Sequence, residues 1–588
     1  MNVLVSSEKP SPEIADSPFR SPAALLQARS VAIVGASERA KWPVRIFRQL
    51  TDFGFPGRVY PINPQRSEVW GVPCYPGFAD LPETPDHALI IIPAESVSAA
   101  VEEAALAGVK AVTVYAANIG EGTDPEIQAR GTTLVDICKR NGIMLAGPNC
   151  MGANSLHERY FVYPNADLCK VPAGTVGAVF QSGGTLQFWC KASAERGVKF
   201  SYAISSGNEL GLDLADYVNF LVEADNTKVI VLFIEGIRRG TAFMAAAAKA
   251  LAIGKPIVAI KTGRSEKSRE TARSHTGAIA GDYAVFAAMC ERYGILHCDS
   301  LDDMTELTLA LSAGRLPRGP RVGFITSSGG IVDLLHDYIE DVGVIETPNF
   351  SPSTEAQVRQ HVLPQVEMKN PLDAGIPSTV QAAAAICSAV LNDPNVDMLA
   401  WAADRKPSEW TLLRDVFAAS DKPVIAFARM NSAVGLQGGE FQSDLGIPFL
   451  QGLQPMVRVL RNLAFYAARA KQHIEPLPRP GGDADFPDDG ALQLALASHG
   501  ITPAKNVLAH NPQQAAAAAT QIGFPVALKI VSPEISHKTE FGGVRLGLAD
   551  AAAVEREARL NAAVSKTAVG LVLTGGSNPS LSASFRWT

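Results

Sequence analysis

The sequence predicts an α/β protein made of several doubly wound units, and three observations carry that prediction. Short β-branched runs alternate with helical stretches from Ser30 onward, an apolar strand followed by a Ser-Gly-Gly turn and a helix occurs twice, and a Pro/Gly-rich stretch around residue 480 sets off a further unit. Fully apolar strands alternating with helices indicate parallel sheets, because each crossover lays a helix on a sheet face and both faces are covered. The 588 residues exceed what one core can hold, and at about 100 to 200 residues per domain they imply roughly three to five units.

Composition excludes several classes. Hydrophobic residues are 47% and charged residues 19%, with 49 Gly and 39 Pro, a globular profile rich in turns rather than a disordered one. A net charge of −7 argues against nucleic acid or an acidic membrane as partner. Cys74, Cys138, Cys150, Cys169, Cys190, Cys290, Cys298 and Cys387 form no Cys-x-x-Cys pair and no zinc spacing. They read as reduced thiols in or near the core, which favours the cytoplasm. The most apolar helical stretch, from Ala242 to Ile260, is interrupted by Lys249 and Lys255, so no membrane span is expected. Residues 1–22 carry Glu8, Glu13 and Asp16 among repeated Ser and Pro, which suits a loose, disordered tail and not a signal peptide.

Taken in order, residues 23–155 form the first domain. Strands are expected at Val31 to Val34, Val59 to Ile62, Ala88 to Ile92, Ala111 to Tyr115 and Ile143 to Ala146, a Rossmann-like series whose ligands bind beyond the strands' carboxyl ends. The first turn, Gly35-Ala36-Ser37-Glu38-Arg39, does not complete G-x-G-x-x-G, which argues against an ordinary nicotinamide site. Two readings stay open for it: backbone N–H groups presented to the phosphate of another nucleotide-like ligand, or a tight turn with no ligand.

Residues 165–316 and 319–470 read as two copies of one domain. Thr175 to Phe180 leads into Gln181-Ser182-Gly183-Gly184, and Arg321 to Ile325 into Thr326-Ser327-Ser328-Gly329-Gly330. Each turn either aims a helix N-terminus at an anion or simply closes a strand-to-helix connection. In the first copy the apolar run Val229 to Ile234 meets its first charge at Glu235, where a carboxylate can accept an imidazole N–H and free the other ring nitrogen. The imidazole is offered by Ala272-Arg273-Ser274-His275-Thr276-Gly277-Ala278, where small residues let the chain bend tightly around His275. Histidine titrates near neutrality, so His275 can attack a phosphoryl group without a strong base.

Residues 471–488, including Glu475-Pro476-Leu477-Pro478-Arg479-Pro480-Gly481-Gly482, are a linker, and 489–588 begin a new unit. Lys529 lies in the apolar run Val526 to Val531, where a buried ammonium would need an anion such as a nucleotide phosphate. His537, close to Gly542-Gly543, repeats the setting of His275.

In this order the motifs resemble the NDP-forming acyl-CoA synthetases, relatives of succinyl-CoA synthetase. The likeness runs from about Ser21 to about Gly576 and is most specific at Ala272 to Gly281, Ala146 to Gly152, Ser205-Ser206-Gly207-Asn208-Glu209 and Pro525 to Val544. The resemblance implies a Rossmann-like CoA-binding domain, two flavodoxin-like ligase domains of succinyl-CoA-synthetase type and an α+β ATP-grasp domain. It implies that His275 carries a phosphoryl group, that Glu235 orients it, and that the Ser182-Gly183-Gly184 and Ser328-Gly329-Gly330 helix starts cradle it. It implies further that CoA lies over Gly35, Ala36, Ser37, Pro61, Asn63, Ile92 and Pro93, with Asn149 from the matching Ala146 to Gly152 segment, that His537 relays phosphate, and that Lys529 meets the nucleotide. The reaction so implied joins a carboxylic acid to CoA at the expense of ATP, through phosphohistidine and an acyl phosphate, releasing ADP and phosphate; ferulate or a related aryl acid is the expected substrate. A homodimer is expected, and the alternative is a protein acyltransferase or CoA-sensing module without ligase activity. Mg²⁺ is expected from the family, but its ligands are not found: the ATP-grasp stretch is short, and no Asp or Glu follows Glu557.

Overall fold

The computed structural model describes residues 18–268, 283–403, 411–430, 442, 446–472, 474, 494–496, 498, 500, 505–531, 543–564 and 570–575. It divides into two compact units, Met1–Glu475 and Pro476–Thr588, at a point inside the expected linker.

The first unit opens with a parallel sheet of β1 (Ser30–Val34), β2 (Arg58–Ile62), β3 (His87–Ile90), β4 (Ala111–Val114) and β5 (Met144–Ala146), ordered β2-β1-β3-β4-β5. Every residue of β1, β3 and β4 is buried, as expected for strands covered on both faces. The order reverses between β1 and β3, so the crevice above that pair is the topological switch point. Local signals set the flanking helices. In α3 (Pro125–Asn141), which follows α1 (Lys41–Asp52) and α2 (Ala94–Leu106), Asp124 accepts the Glu126 and Ile127 N–H groups, proline fills the first turn, and Gly142 closes the end in the left-handed region.

A seven-stranded sheet follows, with β6 (Gly152–Ser155), β7 (Tyr160–Phe161), β8 (Ala173–Phe180), β9 (Phe200–Ser205), β10 (Val229–Ile234), β11 (Ile257–Lys261) and β12 (Leu296–His297), ordered β12-β11-β10-β8-β9-β6-β7. Residues 152–155, within the expected first domain, add a strand to this sheet. β6 pairs antiparallel with β9, matching Tyr202 to Ser155 and Ser205 to Gly152, so the chain crosses into the second sheet directly after Asn149 to Met151. Tyr160 then reaches back: its hydroxyl meets His87 Nδ1 at 2.7 Å while Thr113 Oγ1 takes the other ring nitrogen at 2.8 Å, and burial lowers the His87 pKa to about 3. That imidazole is a neutral core strut.

The stretch expected to be a loose tail is anchored in part. α5 (Leu214–Glu223), which follows α4 (Gly183–Glu195), starts with a capping box between Asp213 and Asp216, and Arg20 donates to Asp216 through its backbone N at 2.8 Å and its Nε at 3.0 Å.

The third sheet consists of β13 (Val322–Thr326), β14 (Leu372–Asp373), β15 (Met398–Ala402), β16 (Val424–Ala428) and β17 (Phe449–Gln451), parallel and ordered β14-β13-β15-β16-β17. After α6 (Gly240–Ala252), α7 (Leu301–Ser312) shares one apolar cluster with both sheets and with the later α10 (Leu453–Ala470). α10 presents Leu453, Met456, Val457, Leu460, Leu463 and Ala464 at helical spacing. Glu306 of α7 pairs with Arg196, whose Nη2 also donates to Phe449 O at 2.8 Å, and Gln451 N donates to Glu306 at 3.1 Å. This buried joint fixes the second and third sheets to each other.

In the second unit, β18 (Lys505–Ala509), β19 (Val526–Val531), β20 (Val544–Leu548) and β21 (Gly570–Gly575) form an antiparallel sheet ordered β18-β21-β19-β20. Pro512–Ile522 and Ala551–Val564 are its helices. All eight cysteines are buried and unpaired. Among the described residues, no helix is long and apolar enough to cross a membrane.

Candidate active site

The site grows from the end of β8. Gln181 and Ser182 turn the chain into α4, with Ser182 as N-cap; its Oγ lies 2.9 Å from Thr185 Oγ1 and accepts the Thr185 N–H at 3.4 Å. A Cβ on Gly183 would fall 2.3 Å from Met151 Cγ, whereas one on Gly184 would meet nothing within 4 Å, so the helix start is open on one side. Its first N–H groups and the helix dipole face that opening, a setting for an anion.

β10 is the neighbour of β8, with Phe180 opposite Phe233, and this register brings Glu235 beside the helix start. Gln181 locks the turn: its Oε1 accepts the Glu235 N–H at 2.5 Å and the Gly236 N–H at 2.9 Å, and its Nε2 donates to Gly236 O at 2.7 Å. Beyond the turn, Arg238 donates to Asn208 O at 2.6 Å, and Arg239 binds Asp213 at 2.7 Å and Pro18 O at 2.7 Å. Lys261, at the end of β11, donates to Glu235 O at 3.2 Å; burial lowers its pKa while the Glu235 charge opposes that shift. The expectation that Glu235 stands at the strand's carboxyl end is met, and the residue is half-buried there.

On the other side of β8, the loop after β9 carries Glu209, to which the sequence assigned no role of its own. It is 2% exposed and adopts φ +55°; Ser206 Oγ donates to its Oε1 at 2.7 Å, and Oε2 has no hydrogen-bond partner among the described residues. Burial raises its pKa to about 7, with Ser206 and Gln181 drawing it partly back. Asn149, φ +53°, belongs with this loop, its Nδ2 lying 3.4 Å from Asn208 Oδ1.

The second Ser-Gly-Gly turn opens α8 (Gly329–Val342) after β13. Ser328 is again the N-cap, but its side chain makes no cap hydrogen bond, and a Cβ on Gly330 would meet nothing within 4 Å.

In the first domain the expected CoA residues converge at the switch point. Gly35 (φ +90°) donates to Ile62 O at 3.1 Å, and a Cβ there would fall 2.4 Å from Ile91 O, so only glycine fits. Asn63 Nδ2 donates to Ala36 O at 2.7 Å, Pro61 lies in β2 beside Ile33, and Ser37 Oγ accepts the Arg39 N–H at 3.3 Å. Ile92 and Pro93 lead into α2, whose start has no side-chain cap. Uncapped amides at a switch point suit the pyrophosphate of a CoA-like ligand.

Three family models match the chain: a CoA binding domain over residues 29–155, a succinyl-CoA ligase like flavodoxin domain over 173–311 and an ATP-grasp domain over 489–570. A trans-feruloyl-CoA synthase from an unknown prokaryotic organism is 32% identical over 550 residues, covering 89% of this chain and 76% of that protein. An ADP-forming acetate–CoA ligase from Archaeoglobus fulgidus is 30% identical over 556 residues, covering 90% and 78%. The chain belongs to the ADP-forming acyl-CoA synthetases. A solved acetyl-coenzyme A synthetase from Ca. Korarchaeum cryptofilum, in complex with phosphate and ADP, superposes on the synthetase with a TM-score of 0.70 at 28% identity, covering 76% of this chain and 97% of that one. The synthetase is thus an acid–thiol ligase that uses CoA and ATP, which favours that reading over a module without ligase activity.

His275 and His537 lie outside the described residues. Lys529 requires a correction. In β19, Val526, Leu528 and Ile530 enter the core while Lys529 is exposed, because the sheet is antiparallel and each strand alternates between a covered and an open face. The apolar run around it is therefore no sign of a buried ammonium. Gln181, Glu209 and Lys261 are the site residues that sequence reasoning missed; the strand-terminal positions of Gln181 and Lys261 were the available signal.

Proposed function

We propose that this synthetase activates an aryl carboxylic acid, a hydroxycinnamate such as ferulate, and that His275 is the phosphoryl carrier. The position of Glu235 beside the Ser182 helix start, its backbone held by Gln181, is the observation that supports this reading most. Glu235 accepts one imidazole N–H of His275, leaving the other ring nitrogen to take the phosphoryl group that His537 has received from ATP with release of ADP, as the P–N bond to His537 breaks. The amides following Ser182 and Ser328 then hold the phosphohistidine, which would hydrolyse in free water.

A carboxylate oxygen of the acid next attacks phosphorus and the P–N bond breaks, giving a mixed anhydride and neutral His275. The CoA sulfur adds to the acyl carbon, and phosphate leaves with the former carboxylate oxygen. CoA lies over Gly35, Ala36, Ser37, Pro61, Asn63, Ile92 and Pro93, with Asn149 at the seam towards the second sheet. His537 relays the phosphoryl group from the nucleotide, and the exposed Lys529 meets that nucleotide. Magnesium is expected from the family, as the partner of ATP. The synthetase acts in the cytoplasm as a homodimer. The aryl preference draws on the feruloyl-CoA synthase among its relatives, although a 26% identical relative from Nitrosopumilus maritimus is a 4-hydroxybutyrate–CoA ligase.

The test is chemical. With γ-labelled ATP, or labelled phosphate and an acyl-CoA, the protein should acquire acid-labile, base-stable label at position 275, and a panel of acids should yield feruloyl-CoA fastest. Equal labelling of His275→Ala would sink the carrier assignment.

A further inference from the structure

The carboxyl ends of the strands in the third sheet enclose a cavity that the phosphoryl chemistry does not use. Ile325 and Thr326 end β13, Trp401 and Ala402 end β15, and the loop Ala374-Gly375-Ile376-Pro377 after β14 forms its rim. Ala383 of α9 (Val380–Leu391) closes its floor. Its volume is about 140 Å³. An apolar cavity of about 150 Å³ is known to hold a benzene ring. A two-carbon acid would leave such a space largely empty, whereas one aromatic ring fills it.

Three further features point to a ligand. Trp401 is only 4% exposed and is braced by Phe417 at 6.2 Å between ring centroids, so one wall is a fixed aromatic surface. Ile376 on the rim is 83% exposed, a large apolar side chain left beside a cavity that Ser327 and Arg429 also line. Thr326, 2% exposed, lines the cavity with a hydroxyl that has no hydrogen-bond partner among the described residues. A buried hydroxyl without a partner is costly unless something polar enters the space it faces. Just beyond it, Ser328-Gly329-Gly330 begins α8 with no side-chain cap, a helix start suited to a carboxylate.

We infer that this cavity receives the aryl ring of the acid, with Thr326 Oγ1 hydrogen-bonded to an oxygen substituent on the ring and the carboxylate lying at the α8 start. The inference rests on the ligase reading for its substrate, and it assigns acid specificity to Thr326, Ala383 and Trp401. A ring held there between strand ends and α9 is shielded from water, and its carboxylate is presented to the amide-rich turn. A phenolic or methoxy oxygen completes the Thr326 hydroxyl, so oxygenated rings bind better than bare ones.

The experiment measures equilibrium binding of ferulate and cinnamate to the full chain by calorimetry, with CoA and phosphate present, and thioester formation from ferulate, cinnamate and acetate by mass detection. Ala383→Leu should weaken both aryl acids about tenfold or more and lower the ferulate-to-acetate ratio of kcat/KM. Thr326→Val should weaken ferulate several-fold relative to cinnamate, as expected when a site built to hydrogen-bond an oxygen loses its partner. If Ala383→Leu fails to fold, as judged by circular dichroism, the isosteric Thr326→Val carries the test alone. Absence of aryl-acid binding to the wild type, unchanged affinities in both variants, or equal losses for acetate and ferulate would overturn the assignment. Binding that follows these variants in a chain forming no thioester from any acid would leave the cavity standing and bring down the ligase reading.

Discussion

The two flavodoxin-like domains share a topology and differ in the chemistry at their strand ends. In each, a central parallel strand runs into a Ser-Gly-Gly helix start, and flanking strands deliver their ends beside it. Around Ser182 those ends carry polar groups tied to one another: Glu235, Lys261, and Glu209 against Gln181. Around Ser328 the described residues at the strand ends include Trp401, Ala374 and Ile376, which line a cavity together with Ser327 and Arg429. The Ser182 start is capped by its own serine and the Ser328 start is not. A duplicated fold thus conserves where ligands dock while its loop residues settle what docks, which is why function has to be argued from side chains and not from the sheet. On the reading proposed above, one copy holds and orients a phosphoryl group and the other holds a carbon skeleton.

The comparison breaks most directly at Glu235. Glu235→Ala should lower thioester formation about a hundredfold or more, in the range of removing a partner that orients a catalytic imidazole, with no comparable loss in CoA affinity. Unchanged initial rates would show that the polar strand ends are not the phosphoryl-handling side. Gln181→Leu should follow at roughly tenfold, since it leaves the Glu235 and Gly236 N–H groups without their acceptor and lets the turn drift. Its signature is a fall in kcat with KM for the acid little changed.

Much of this division is legible in the sequence. The strands of the first sheet, and β8, β10 and β13, lie where apolar runs predict them, and Glu235 follows its strand as expected, because full burial leaves an apolar signature. The rest depends on contacts between distant residues. Residues 152–155 read as the tail of the first domain, yet they pair with β9 some fifty positions later. Lys529 sits in an apolar run that has one open face. The walls of the cavity come from Ile325, Ile376, Ala383 and Trp401, a combination that no local pattern announces. Glu209 is hidden for a different reason: its importance lies in burial and in an Oε2 without a partner, and an isolated Gly-Asn-Glu reads as an exposed turn.

Glu209 also sharpens the comparison through pH. Its carboxyl has a pKa of about 7 in the folded protein against an ordinary value of 4.5. A raised carboxyl pKa means the folded state favours the protonated form. Its stabilising contribution is therefore fully present below about 4.5 and is lost as pH rises to about 7. At roughly 1.4 kcal/mol for each tenfold change in proton affinity, the loss amounts to about 3 to 4 kcal/mol once pH is well above 7. Glu209→Gln cannot ionise, so relative to wild type it should gain stability between pH 5 and pH 8. Asp213, Asp216, Arg238 and Arg239 surround the loop as well, so the informative quantity is the difference between the two proteins in urea midpoint across that range, which cancels their common titration. A difference that stays flat with pH would mean that Glu209 ionises normally and that the first copy's site is less desolvated than its burial implies.

The smallest effect separates the two helix starts themselves. Ser182→Ala removes an N-cap acceptor and its contact with Thr185, and should cost about 1 kcal/mol of stability. Ser328→Ala removes a hydroxyl that makes no cap bond and should leave the thermal midpoint within the scatter of measurement. If Ser328 nevertheless contacts the acyl phosphate, the same variant should raise KM for the acid without altering the melting curve, whereas Ser182→Ala should move both stability and phosphoenzyme yield. Equal stability losses at the two positions would mean that both serines are ordinary caps, and the contrast between a structural serine in one copy and a ligand-facing serine in the other would disappear.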